Sequence, residues 1–208
     1  MQLKEIYEHK RDAIEKRLQE FRDVYRQPDE VIFEELCFCL LTPQTKAKSA
    51  TKVIEKLKEK NLLLSGSAEE IKKWMAPIRF NNNKSQYIVE ARQLLTENGK
   101  IMIKEKINAN DIAATRSWLV KNIKGYGLKE ASHFLRNIGF GDDIAILDRH
   151  ILKNMVKYGV IPEVPASLTG KKYLELEKKL IEFSKNNGIP PAHLDLVWWS
   201  EETGEIFK

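Results

Sequence analysis

Cysteine is almost absent from the 208 residues. The two that occur, Cys37 and Cys39, lie two apart in the apolar run Phe33–Leu41. One intervening residue disfavours a disulfide between them, and a cysteine-ligated zinc or iron–sulfur site needs about four ligands. They read as small core residues in a reducing compartment. No window approaches the roughly 18 apolar residues of a membrane span. The N-terminus, MQLKEIYEHKRDAIEKRLQEF, is charged and amphipathic rather than a signal peptide, so an intracellular, cytoplasmic protein is expected. Internal repeats, low-complexity tracts and flexible linkers are missing too. So is any convincing alternation of apolar and polar residues between turn signals, which disfavours a β fold.

What is present describes a soluble globular chain, 42% hydrophobic and 31% charged. Net charge is only +5, but the positive charge is clustered. Residues 46–60 hold six lysines against two glutamates, and residues 121–157 hold seven Lys or Arg against four acids. Clustered positive charge suits a polyanionic partner, although a lysine-rich solvated surface reads the same way.

Helical spacing recurs along most of the chain, which predicts an all-α fold. Residues 2–25 place Leu3, Ile6, Tyr7, Ile14, Leu18, Phe21 and Tyr25 on one face. Asp29 is placed as the cap of a helix at 30–41 that is apolar nearly all round and therefore central. Further helices are expected at 46–60, from the capping box Ser67–Glu70 to Met75, and at 84–97 with Gly99 just past its end. The polar run Arg79–Lys84 reads as a turn. Helices at 112–123, 128–138, 149–158, 170–185 and 190–202 complete the pattern. The expected subdomains are interleaved: residues 1–30 with 150–208, and residues 31–149, which end in the hairpin motif at 112–138.

Gly125 and Gly127 flank Tyr126 between two helical segments. Glycine permits a tight turn and close backbone approach. The unpaired N–H groups and positive dipole end of the next helix can meet a phosphate. An ordinary helical turn accounts for this spacing equally well. Lys129 stands in the first turn of that helix, where the dipole disfavours a cation. An amine nucleophile must be neutral, so this placement suits one; most lysines, however, are simply solvated. Asp148, nineteen residues on, opens another helix. Helix capping alone explains an aspartate there.

Together these residues resemble the helix-hairpin-helix superfamily of DNA glycosylases, which includes endonuclease III. The matching positions are Gly125, Gly127, Lys129, Asp148 and His150. Leu41–Lys46 resembles the loop carrying an inserting glutamine, here Gln44, and Phe80–Lys84 resembles the wedge loop, here Phe80 and Asn81. The iron–sulfur cysteines of endonuclease III are missing. The tail Leu194–Lys208, with Trp198-Trp199, is instead similar to the compact, mainly archaeal family of 8-oxoguanine DNA glycosylases with lyase activity.

The resemblance implies a DNA-repair enzyme acting on duplex DNA that contains 8-oxoguanine, as a monomer and without a membrane or a required cofactor. A monovalent cation at the hairpin turn is implied as well. Lys129 would be the Schiff-base nucleophile and Asp148 its carboxylate partner. Gly125, Gly127, His150, Gln44, Phe80 and Asn81 would contact DNA. Trp198 or Trp199 would stack on the flipped base, Trp198 being placed in the base site and one of the two expected in the core. The terminal carboxylate of Lys208, a backbone carbonyl or Asp195 would read N7–H of the lesion. Two alternatives stay open: a relative acting on oxidised pyrimidines, and a non-catalytic helix-hairpin-helix DNA-binding module.

Overall fold

The computed structural model describes residues 2–207. Among them, α-helices dominate and the one sheet is a two-stranded hairpin. The chain divides into two compact units. One joins the residues through Asp23 to those from Leu135 onward; the other is Val24–Phe134.

The central unit is built on α2 (Asp29–Leu41). Its nine buried residues include Ile32, Phe33, Leu36 and Phe38, so the all-round apolar pattern does mark a core helix. The unit also holds α3 (Ala47–Glu59), α4 (Leu62–Ser65), α5 (Ala68–Lys72), α6 (Asn81–Leu95) and α7 (Ile112–Asn122), of which α3 and α6 pack against α2. Cys37 and Cys39 are buried in this core without a disulfide, and burial pushes the Cys37 thiol up. The Ser67/Glu70 capping box is formed, and Asp111 Oδ1 accepts from Ala114 N–H at 2.9 Å to cap α7.

Three expectations are corrected. Asp29 is the first residue of α2, not its cap; its Oδ1 accepts from Lys104 N–H at 2.8 Å, so it ties a 3-10 turn (Ile103–Lys106) to the helix. The polar run after Arg79 is not a free turn. Asn81–Lys84 form the first turn of α6, and Phe80 takes the capping position with a left-handed backbone. Gly99 does not close that helix. Asn98-Gly99 is the two-residue turn between β1 (Thr96–Glu97) and β2 (Lys100–Ile101), both residues at positive φ, as a hairpin turn of the Asn-Gly type requires.

The second unit packs α1 (Leu3–Tyr25), α9 (Arg149–Lys157), α10 (Gly170–Asn187) and α11 (Pro191–Thr203). Lys10 Nζ on α1 reaches Glu201 at 2.7 Å and Ser200 Oγ at 2.9 Å on α11. Tyr7 on α1 meets His193 on α11, with 3.1 Å between the hydroxyl and Nδ1. Helix α8 (Leu128–Asn137) runs from the first unit into the second.

Candidate active site

The hairpin of residues 123–127 joins α7 to α8. Tyr126 anchors it. This side chain is buried, and its hydroxyl donates to the Leu36 carbonyl at 2.8 Å. Gly125 has φ +89°, and a Cβ there would lie 2.7 Å from the Tyr87 ring. The position therefore excludes larger residues for two reasons, conformation and space. Lys124 extends over the same ring, 5.7 Å from its centroid, and pairs with Glu90 at 3.3 Å.

Glu130 shapes the start of α8, and the residue types alone did not single it out. Its Oε2 accepts from Gly127 N–H at 3.1 Å, and its Oε1 lies 3.1 Å from Lys129 Nζ. One carboxylate thus covers the helix end and holds the amine. Its signal was a carboxylate three residues after a helix start. The Lys129 side chain is 25% exposed, accessible yet partnered.

In the same unit, Gln44 and Phe80 are exposed, Phe80 to 57%. Neither is glycine, yet both adopt left-handed backbones, with φ of +56° and +57°. Asn81 is turned inward, its Nδ2 donating to the Met75 carbonyl at 3.5 Å.

Asp148 belongs to the second unit. Asp148 Oδ1 accepts from the N–H groups of His150 and Ile151, both at 2.8 Å, which is ordinary N-capping of α9. Its Oδ2 accepts from Trp199 Nε1 at 3.1 Å. Both oxygens are held, so the carboxylate has a defined orientation. The approach to it is fixed by α10. Glu177 Oε1 accepts from Ala145 N–H at 2.9 Å, while the Tyr173 hydroxyl donates to the Ala145 carbonyl at 2.6 Å and accepts from Leu147 N–H at 3.2 Å. Sequence spacing gave no sign of these two supports.

His150 is partly exposed. Its Nδ1 lies 3.5 Å from Glu202, and its ring meets Trp199 edge-on at 6.1 Å. Asp195 is 11% exposed and lies 3.6 Å from Arg136. Burial pushes its carboxyl up to about 6; Arg136 opposes the shift and Asp148 adds to it.

Trp198 offers no face to a base. It is fully buried, stacked on Tyr158 at 5.4 Å and packed against Phe183 at 5.9 Å. The base-site role placed on it is corrected to core packing. The two tryptophans are adjacent on a helix, about 100° apart, so one points inward while the other reaches Asp148. Lys208 lies outside the described residues.

No group of three or more His, Cys, Asp or Glu among the described residues is arranged to hold a metal ion, and no described helix is long and apolar enough to cross a membrane.

The chain as a whole is similar to known proteins. The 8-oxoguanine DNA glycosylase family model matches residues 14–189. An 8-oxoguanine DNA glycosylase/AP lyase of Fusobacterium nucleatum is 46% identical over 100% of this chain and 96% of its own. Its namesake from Methanocaldococcus jannaschii is 38% identical, with both chains fully covered. The crystal structure of the M. jannaschii 8-oxoguanine glycosylase/lyase in complex with 15mer DNA containing 8-oxoguanine matches with a TM-score of 0.88, at 35% identity and full coverage of both chains. That of the Thermotoga maritima 8-oxoguanine DNA glycosylase matches with a TM-score of 0.82 at 34% identity, over 99% of this chain and 96% of that one. A family model over most of the chain, relatives alike along its full length and matching solved folds agree, and the chain belongs to the 8-oxoguanine DNA glycosylase family.

Proposed function

We propose that this chain is a base-excision repair enzyme that extrudes 8-oxoguanine from duplex DNA, excises it, and then nicks the strand 3′ to the abasic site. The observation that carries this reading is the end-to-end likeness to a relative solved on DNA containing 8-oxoguanine. The residues present supply the chemistry.

The bond to be broken lies inside a stacked duplex, so the nucleotide must leave the stack first. The hairpin at Gly125 and Gly127, with His150, grips the phosphate backbone, and Gln44, Phe80 and Asn81 occupy the vacated space. Lys129, having lost a proton, attacks C1′ with its amine lone pair. The C1′–N9 bond breaks, and the electron pair leaves with the base. The Asp148 carboxylate stabilises the positive character that develops on the sugar. The resulting aminal opens to a Schiff base. Loss of a C2′ proton then expels the 3′ phosphate by β-elimination.

Every step uses a lysine amine and a carboxylate, so none calls for a cofactor. Backbone carbonyls of the hairpin would hold a monovalent cation, which would supply positive charge facing the DNA backbone, and that ion is part of the proposal. Trp199 is the tryptophan left for the base pocket, and Asp195 is a candidate acceptor for N7–H. The enzyme is taken to act as a monomer in the cytoplasm.

The deciding experiment is borohydride trapping on an 8-oxoguanine:cytosine duplex, with undamaged and oxidised-pyrimidine duplexes as controls. A covalent adduct specific to 8-oxoguanine is expected. Salt-sensitive binding without an adduct would instead mark a non-catalytic DNA-binding module. An adduct chiefly with oxidised pyrimidines would reassign the base.

A further inference from the structure

Lys84 is 5% exposed, a rare environment for a lysine. It lies in the first turn of α6, four residues after Phe80. Its Nζ donates to the carbonyls of Leu41 and Pro43, both at 2.8 Å. Those carbonyls belong to the loop that ends α2 and carries Gln44. A weaker tie joins the same two segments: Arg79 N–H donates to Thr45 Oγ1 at 3.4 Å.

Each tied segment carries one exposed residue with a left-handed backbone, Gln44 on one and Phe80 on the other. Such conformations are strained and persist only where their surroundings hold them. An ammonium suits that task. Hydrogen bonds from a charged donor are about twice as strong as neutral ones. Burial, and after it the nearby Lys129 charge, pushes the Lys84 pKa down to about 8, with Glu130 opposing. At neutral pH the group is therefore still mainly charged.

We propose that Lys84 is a positioning residue for base extrusion: by bonding the Leu41–Thr45 loop to the start of α6, it sets Gln44 and Phe80 as one wedge against the DNA stack. The inference rests on the base-excision reading above. Lys84 touches no reacting atom and acts through the two loops. The wedge matters while a base is being displaced. An abasic site has no base to displace, so cleavage there bypasses the step.

The test compares single-turnover excision on an 8-oxoguanine:cytosine duplex with cleavage of the same duplex bearing an abasic site. Lys84→Met is expected to slow excision about tenfold or more while slowing abasic-site cleavage no more than about twofold, because small misplacements of a positioning group cost up to about a hundredfold. The brightening of a 2-aminopurine beside the lesion on binding should be lost in the same variant. Lys84→Met combined with Gln44→Ala should lose little more than the worse single change, since both act through one loop.

Equal losses on the two duplexes overturn the proposal, because they point to general structure or to the Lys129 amine. So does unchanged excision, or a double variant whose losses multiply. Should Lys84→Met melt below the assay temperature, Lys84→Gln, which keeps a donor for one carbonyl, carries the same comparison. A wild-type protein inert on both duplexes would overturn the proposed function itself, and this inference with it.

Discussion

The Asp148 carboxylate and the Lys129 amine are held in opposite ways. Asp148 is over-determined. Two backbone N–H groups hold one oxygen, an indole N–H holds the other, and the segment leading to it is pinned by Tyr173 and Glu177. Lys129 is under-determined. It keeps a quarter of its side chain exposed and has one close partner, a neighbouring carboxylate. The contrast matches the roles proposed for them. A group that stabilises developing charge works best when its orientation is set beforehand, since reorientation during the reaction costs free energy. A nucleophile must lose a proton, move to a carbon and stay bonded to it, so a rigid cage would oppose it.

Changes on either side should therefore be felt differently. The largest effect is expected from Lys129→Gln, which removes the proposed nucleophile. Borohydride trapping should be abolished and strand nicking should fall at least about a thousandfold. An adduct that persists would move the nucleophile elsewhere. Asp148→Asn comes next. It keeps an acceptor for the α9 cap and loses the charge, so excision should slow by about 10²–10³ while DNA affinity, followed by gel shift, stays nearly constant. An unchanged rate would leave Asp148 as a helix cap only.

The third effect is one of pH on stability. The Asp195 carboxyl is raised from 3.8 to about 6 in the folded chain, mainly by burial. The fold thus favours its protonated form. The associated stability is fully present below pH 3.8 and is lost as pH rises through 6, by about 3 kcal/mol. Thermal melts of wild type and Asp195→Asn between pH 4 and 8 measure it, with the wild-type advantage shrinking as pH rises. A constant difference would show that Arg136 compensates fully.

Smaller still is Trp199→Phe, which deletes the donor to Asp148 Oδ2 and leaves the cap intact. Excision should fall about tenfold, with stability down by about 1 kcal/mol, the net worth of one hydrogen bond. An effect as large as that of Asp148→Asn would mean that the cap bonds alone orient nothing. The smallest expected change is a gain. Glu130→Gln keeps an acceptor for Gly127 N–H but removes the anion beside Lys129, so abasic-site cleavage at neutral pH should rise about threefold. A loss would show that Glu130 holds the amine in place rather than restraining it.

Helices were legible because their signals are local. The all-round apolar run of α2, the Ser67–Glu70 box and the Asp111 cap each lie within a few residues. The Asn98-Gly99 hairpin was also local, and it was missed because Gly99 was taken for a helix end. Lys129 and Asp148 stood out only through their place in a family pattern, since a first-turn lysine and a capping aspartate are each commonplace. Glu130, Lys84, Tyr173 and Glu177 did not, because a charged or aromatic residue on a helix reads as solvated face or core until its partners are known. The same holds for the tryptophans. Apolar residues surround α11, so its pattern could not say which indole pointed inward.

The sequence alone determined an all-α chain, its central helix and the glycine hairpin, because periodicity, capping and turn chemistry act over a single turn of chain, while a family resemblance pointed to Lys129 and Asp148. Tertiary structure decided the rest. It buried Trp198 against Tyr158 and Phe183, gave Trp199 to Asp148, closed Glu130 over Gly127 and Lys129, and sank the Lys84 amine between two loops. Those contacts join residues that can stand tens of positions apart. Burial, which decides whether a charge is solvated or must find a partner, is a property of the packed chain.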